Sequence, residues 1–428
     1  MISAKKRDAL RLLEILEQAG YDARLVGGCV RDQLLGREPK DYDIASSATP
    51  EELLTLFKKR QIRTLVYGKE HGTITPIMAS GPVEITTLRE DVKTHGRHAE
   101  VAFHKDFKTD AARRDFTINA MSQDRRGHVF DYFEGKKHLR EKRLVFVGEP
   151  VVRIQEDYLR ILRFFRFQSR FGMRSNAQTL KAIAGQVTGL TQVSHERITS
   201  EIYEIFKSPL LAPTLNEMAK TGVLSFVFPG FQLLKLLERR QCLRLLENLA
   251  CIPVACRSQA RIAMLLAFSG LRRKCLTADK VSSLLSDLTE FKIRPSNKEQ
   301  KLIMALLEAL PLLPKVKARR AEYLLFVDAS DQATEGMFMP VVVPFLEVFY
   351  ARSSLRLRKI HKIVEAETHF GWRRKSLPID GKGLMQGLQI APGPLVGKVL
   401  ETLRYAYLDG EWETADEALR WLMNKPLS

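Results

Sequence analysis

The chain has little of what an extracellular or membrane protein needs. It holds five cysteines in 428 residues. Cys29, Cys242, Cys251, Cys256 and Cys275 form no Cys-x-x-Cys pair and no zinc spacing, and an odd count makes a poor disulfide framework. Free thiols in a reducing compartment are the expectation. No apolar run is long enough to span a bilayer. Residues 1–20 show an amphipathic helix with acids on its polar face, which is neither a signal core nor an acid-free transit peptide. A cytoplasmic protein with no membrane partner follows. Gly/Ser linkers, low-complexity blocks and fixed-period repeats are missing. No His-Asp pair occurs anywhere, which argues against an appended phosphohydrolase of the His-Asp type. Acidic residues are also scarce: 50 Asp and Glu face 68 Lys and Arg, a net charge of +18. Such a surplus attracts polyanions with a steep salt dependence, so nucleic acid is the leading partner and a merely soluble basic surface the alternative. The hydrophobic share of 45% is ordinary for a globular chain, and this length suits two to four domains.

What is present is organised around Leu25 to Asp43. Gly27-Gly28-Cys29-Val30-Arg31-Asp32 reads as a glycine turn between a strand and a short helix, and Asp41-Tyr42-Asp43-Ile44 as a second strand. Glycines lack a Cβ, so a phosphate can approach the backbone N–H groups of Gly27 and Gly28. Strand alternation puts Asp41 and Asp43 on one face with Tyr42 opposite. Two carboxylates with no basic residue between them suit magnesium, which takes hard oxygen ligands and keeps positions for water and substrate phosphate. A solvated strand face is the alternative reading. Pro82 to Arg89 is a further strand, and its pairing would bring Glu84 beside the aspartates as a third carboxylate.

Thr49-Pro50-Glu51-Glu52 opens a helix with a cap, a first-turn proline and early acids. His71 to Ile77 reads as a strand. From Glu90 to Phe107 periodicity is lost and Lys93, His95, Gly96, Arg97 and His98 gather, which predicts a mobile loop. In Asp110 to Met121, Arg114 is suited to gripping a triphosphate, while Asp115 and Asn119 either contact sugar hydroxyls or fix the arginine. Gln155 to Phe167 predicts one helix, with Asp157, Arg160 and Arg163 three apart along a face, either as a functional row or as solvated ion pairs. Beyond Ser200 the pattern is helical, with strong stretches at 233–250, 261–268 and 301–312. Near the C-terminus, Lys382, Lys398 and Arg404 are available to a phosphate backbone.

The ordered series Gly27-Gly28-x-Val30-Arg31-Asp32, Asp41-x-Asp43, His71-Gly72-Thr73, Glu84 to Arg89, Arg113-Arg114-Asp115-Phe116-Thr117-Ile118-Asn119, Glu156-Asp157-x-x-Arg160-x-x-Arg163 and Glu196-Arg197-Ile198 resembles class II tRNA nucleotidyltransferases. These are the CCA-adding enzymes, sisters of bacterial poly(A) polymerases. The resemblance is dense over the first half and thinner behind it. It implies an α+β fold: a polymerase-β-like head with a mixed sheet at 1–140, then an all-helical neck at 141–207, body at 208–325 and tRNA-binding tail at 326–428. It implies two Mg2+ ions on Asp41 and Asp43, with Glu84 in support. Gly27, Gly28, Arg31, Arg114, Asp115 and Asn119 would hold the nucleotide. Asp157, Arg160, Arg163 and Arg166 would form the base-reading helix, braced by Glu196 and Arg197. The partners implied are tRNA, CTP and ATP, with monomer and homodimer both open. His71-Gly72-Thr73 and Thr94 to Val101 resemble the CCA-adding branch, the latter its flexible loop, although His95 stands where many relatives carry Asp. A poly(A) polymerase or an enzyme adding only the terminal A is the rival, and a catalytically silent RNA-binding relative a more distant one.

Overall fold

The computed structural model describes residues 2–66, 72–95, 98–103, 105–229, 240–270, 291–312, 342, 345–346, 377–408, 411–412 and 414–424. His71, Gly96, Arg97, Cys275 and residues 233–239 of the readings above lie outside them. Two compact units divide the chain, Met1–Pro229 and Gly230–Ser428.

The first unit opens with α1 (Ala4–Gln18), whose apolar residues Ala9, Leu12, Leu13, Ile15 and Leu16 are buried against the start of a sheet. Then come β1 (Ala23–Val26), α2 (Gly28–Leu34), β2 (Ile44–Ser46), α3 (Pro50–Lys59), β3 (Thr64–Leu65), β4 (Thr73–Met78), β5 (Gly81–Pro82) and β6 (Ile85–Thr87). A hairpin of β7 (Arg89–His95) and β8 (His98–Phe103) leads to α4 (Phe107–Ala112), β9 (Met121–Gln123) and β10 (Val129–Asp131). The sheet runs β10-β9-β1-β2-β6-β4-β3, with β5 added on β4. It is mixed: β2 and β6 are parallel and the other neighbours antiparallel. Register aligns Leu25, Ile44, Ile85 and Ile74 across four adjacent strands, all fully buried. One row of side chains thereby fixes which face each strand turns to the core. On the alternate positions Val26 and Ala45 pack with Leu88 and Phe107.

The Thr49 cap forms as expected. Its hydroxyl accepts from the Glu52 N–H, and the Glu52 carboxylate accepts from the Thr49 N–H at 2.7 Å. The stretch read as a loop after Glu90 is instead the β7–β8 hairpin, with Arg89 opposite Phe103 and His95 opposite His98. Its sequence, Arg-Glu-Asp-Val-Lys-Thr-His, is polar at nearly every position. No period-2 signal announces the strand, and backbone pairing in a two-stranded sheet of its own makes it.

Helices follow: α5 (Gly135–Arg140), α6 (Pro150–Glu156), α7 (Arg160–Phe171), α8 (Ala177–Gln186), α9 (His195–Lys207), α10 (Leu211–Lys220) and α11 (Val223–Val227). Phe116 and Phe146 pack with Phe164 and Phe167 of α7 at ring separations of 4.8 to 6.1 Å, which ties α7 to the strand region. The second unit is helical where described: Arg240–Asn248, Val254–Gly270, Asn297–Leu312, Gly381–Leu388, Pro394–Leu408 and Ala415–Met423. No described helix is long and apolar enough to cross a membrane. Cys29, Cys251 and Cys256 are free thiols. The α+β class, with a mixed-sheet head and a helical remainder, is as expected.

Candidate active site

The end of β1 and the start of α2 make the glycine turn expected to take phosphate. Gly27 sits at φ +72°. A Cβ there would lie 2.8 Å from the Arg114 Nη1, so glycine is required both by the backbone and by the guanidinium facing it. Gly28 opens α2 and carries no such constraint: its Cβ would find Arg31 Nη2 at an ordinary 3.5 Å.

Asp41 and Asp43 lie in extended chain just before β2 rather than inside a strand, yet the alternation holds: both are exposed and Tyr42 between them is buried. The Asp43 carbonyl accepts from the Val26 N–H, and the Ile44 N–H donates to the Glu84 carbonyl, each at 2.9 Å. Because β2 and β6 are parallel and pair Ile44 with Ile85, Glu84 falls beside Asp43. The Asp43 carboxyl opens onto the cleft but has protein on most sides. That burial, with Glu84 and Asp41 adding negative charge against the opposing Arg114, raises its pKa to about 6. Lys5 of α1 reaches across to Asp41 at 3.1 Å, an exposed pair. A carboxylate held up by neighbouring carboxylates is one a divalent cation would relieve, so the donor set fits magnesium. Among the described residues no three or more His, Cys, Asp or Glu side chains converge on one point. A cation here would therefore rest on one or two carboxylates and on substrate oxygens, which magnesium tolerates.

α4 and the turn after it supply the cations. Asp110, buried on α4, accepts from Arg113 Nε at 2.9 Å and from Arg114 Nη2 at 3.0 Å. Burial alone would raise its pKa, and the two arginines more than reverse that. Asp115 is likewise buried and held below the ordinary carboxylate range, because Arg163 and hydrogen bonds from Asn119 and the Phe116 N–H overcome desolvation. Arg163 Nε donates to it at 2.8 Å and Asn119 Nδ2 at 3.1 Å. Asn119 Oδ1 in turn accepts from Arg31 Nη1 at 2.6 Å, and Asp32 accepts from Arg31 Nε at 2.9 Å. Asp115 and Asn119 do hold arginines, but these are Arg163 and Arg31; Arg114, the arginine they were expected to fix, is held by Asp110. The Arg31 guanidinium, pushed down by burial, is supported by Asp32.

The expected single helix from Gln155 to Phe167 does not form. α6 stops at Glu156, Asp157 is extended at φ −153°, and α7 starts at Arg160. Local hydrogen bonding breaks it: Asp157 Oδ1 accepts from the Leu159 N–H at 3.2 Å, a competitor to helical bonding. Its Oδ2 accepts from Arg197 Nη2 of α9 at 2.8 Å. Arg160 closes the turn by donating to the carbonyls of Arg153 at 2.8 Å and Arg113 at 3.0 Å, and it also pairs with Glu156.

These segments enclose one cleft of about 400 Å³. Gly27, Gly28, Arg31, Asp43, Arg114, Asp115, Asn119, Asp157, Arg160 and Arg163 line it. Asp41, Glu84 and Arg166 do not. Asp41 and Glu84 flank Asp43, while Arg166 donates to the buried Glu201 at 3.0 Å. Arg113, Leu159, Phe167 and Arg197 also line the cleft, without having been singled out for nucleotide binding. The spacing Asp110-x-x-Arg113-Arg114 carried a signal for the first, since residues three and four apart meet on one helix face. Glu196 is exposed in the first turn of α9, and Arg197 reaches Asp157.

With this geometry in hand, known proteins can be set beside the chain. A family model described as the Poly A polymerase head domain matches residues 23–145, and one described as a probable RNA and SrmB-binding site of polymerase A matches residues 172–234. The CCA-adding enzyme of Geobacillus thermodenitrificans is 30% identical over 434 residues, covering 98% of this chain and 97% of that one. The mitochondrial CCA tRNA nucleotidyltransferase 1 of Danio rerio is 45% identical over 195 residues, which span 45% of either chain, so the match extends over about half the length of that relative. The crystal structure of the Bacillus stearothermophilus CCA-adding enzyme in complex with CTP superposes with a TM-score of 0.76 at 28% identity, covering 99% of this chain and 98% of that one.

Proposed function

The chain belongs to the family of CCA-adding enzymes, and from that premise we propose that it adds C, C and A to the 3′ end of tRNA, using CTP and ATP and releasing pyrophosphate. The observation that carries this reading is that Gly27, Gly28 and Asp43 line one cleft together with Asp157 and Arg160, from segments more than a hundred residues apart. In this reading residues 1–140 are the catalytic head, 141–207 the selecting neck, 208–325 the body and 326–428 the tail.

Gly27 and Gly28 present backbone N–H groups to the triphosphate, Arg31 and Arg114 neutralise it from fixed positions, and Arg163 stands in the base-reading row beside them. The carboxylates that hold those arginines, Asp32, Asp110 and Asp115, keep their forks oriented before substrate arrives. Two magnesium ions, held by Asp41 and Asp43 with Glu84 nearby, would lower the pKa of the RNA 3′ hydroxyl and stabilise the departing pyrophosphate. Asp157 accepts from the exocyclic amine of cytosine or adenine, and Arg160 donates to the ring acceptors beside it. Uracil and guanine would turn a carbonyl toward the Asp157 carboxylate, and two facing acceptors are strongly disfavoured in a desolvated cleft.

The test is Asp157→Ala. Incorporation of UTP and GTP relative to CTP and ATP is expected to rise at least tenfold while tRNA affinity changes less than about twofold, a shift within the discrimination such contacts supply. An unchanged nucleotide preference would contradict the assignment.

A further inference from the structure

α5 and the turn behind it carry a basic run that the nucleotide cleft does not use. Lys136, Lys137, Arg140, Lys142 and Arg143 fall within eight residues, and all are exposed. The chain returns beside this turn at Arg174, exposed as well. The Leu144 N–H donates to the Arg174 carbonyl at 3.1 Å, the Arg174 N–H donates to the Lys142 carbonyl at 2.6 Å, and Arg143 and Arg174 form a parallel bridge. Bridged residues send their side chains to the same side. Two arginine side chains therefore leave the backbone from adjacent positions, with Arg143 turned to Glu141. Beside them opens a second cavity of about 410 Å³, lined by both arginines with Glu141, Ser175 and Asn176.

The acids do not cancel this charge. Glu134 pairs with Lys137 at 3.0 Å and Glu141 with Arg143 at 3.3 Å, both at the surface; with Asp131 at the start of α5 and Glu217 beside Ser175, six cations face four acids. Arg174 has no acidic partner among the described residues. Glu217 is taken up by hydrogen bonds from Gln168 and Ser175 at 2.6 and 2.8 Å. The lining contains no aromatic ring, and its apolar members are Leu144, which is buried, and Val145. Arginine forks match phosphate oxygens, and contacts to phosphate carry no sequence information.

We propose that this face, centred on the Arg143–Arg174 pair, is a docking surface for the phosphodiester backbone of the RNA substrate, separate from the nucleotide cleft. The proposal rests on the tRNA-extending reading above. It assigns the face to the grip on RNA and leaves nucleotide binding and chemistry to the cleft.

The experiment compares wild type with the double variants R143Q/R174Q and R143K/R174K. It measures binding of a tRNA transcript lacking its last three nucleotides over a salt series, together with KM for CTP and kcat at saturating tRNA. R143Q/R174Q is expected to weaken tRNA binding about tenfold near 0.1 M salt and to flatten the log–log salt slope by about one to two, as expected when two phosphate contacts are lost. KM for CTP and kcat should stay within about twofold of wild type, and the lysine variant should keep most of the affinity, since it keeps the charge. R143Q/R174Q binding tRNA as wild type does, with the same salt slope, would overturn the proposal. Equal loss in the glutamine and lysine variants would overturn it too, because that outcome marks a structural role. K136Q/R140Q, altered only at exposed side chains, should weaken binding in the same direction and guards against misfolding of the first variant. A wild type that binds tRNA but adds no nucleotide would sink the functional reading alone; normal addition by wild type with unaltered tRNA binding in R143Q/R174Q would sink this proposal alone.

Discussion

Gly27 and Gly28 are neighbours in the glycine turn, but only Gly27 is bound by its own backbone. A side chain at φ +72° is strained whatever the space around it, and here Arg114 Nη1 occupies the space as well. Gly27→Ala is expected to lose about 1–2 kcal/mol of stability, the usual cost of a left-handed non-glycine. Gly28→Ala should leave stability unchanged or slightly raised, since the residue is helical and Ala favours helix. Both should raise the nucleotide KM, because either methyl would stand between backbone and phosphate. Urea unfolding of the two variants checks the contrast, and equal stabilities would contradict it. Asp115 is the other residue whose surroundings decide its role. Its pKa is lowered in the folded chain, so its contribution is fully present above the unfolded value of about 4 and is lost as pH falls through the folded value. Asp115→Asn takes from Arg163 the one carboxylate it is hydrogen-bonded to, leaving only the longer-range charges of Glu201 and Asp157, and should cost about 3 kcal/mol at pH 7. The gap between variant and wild type should narrow at pH 3. A gap that is the same at both pH values would mean that the Arg163 pair does not hold Asp115 ionised.

At the scale of elements, the strand side of the site was readable and the helical side was not. Alternation placed Asp41 and Asp43 on one face, and pairing brought Glu84 beside them, because both follow from a period of two and a parallel register. The apolar spacing of Ile161, Leu162, Phe164 and Phe165 ran unbroken back through Tyr158 and Leu159 and so concealed the break between α6 and α7. That break comes from one carboxylate preferring the Leu159 N–H and a guanidinium forty residues on, and no local pattern displays it. Asp110 went unassigned for the converse reason: its partners were adjacent in sequence, but its burial was invisible. In the proposed reading the selecting residues therefore hang on a turn that Arg197 holds from α9. Arg197→Met should reproduce part of the lost nucleotide discrimination expected of Asp157→Ala, with KM for CTP rising more than kcat falls. Competition between CTP and UTP in single-turnover addition measures it, and wild-type selectivity in Arg197→Met would show that Asp157 needs no brace.

For the whole molecule, the cleft and the basic face at Arg143 and Arg174 both belong to Met1–Pro229, while Gly230–Ser428 contributes its own cations at Lys382, Lys398 and Arg404. A net charge of +18 is thus distributed over more surface than one nucleotide requires, as a protein that grips a long polyanion needs. Composition pointed to a polyanion as partner; the family was legible only from the order of motifs along the chain, since each motif alone is common. The reading is tested most directly by its product. Purified protein, magnesium and a tRNA lacking its terminal three nucleotides are incubated with each nucleotide alone and then with CTP and ATP together. Growth by two residues with CTP alone, and by three ending in A with both, is the expected result. A long A tail, or a single A on tRNA already ending in C-C with no use of CTP, would contradict it.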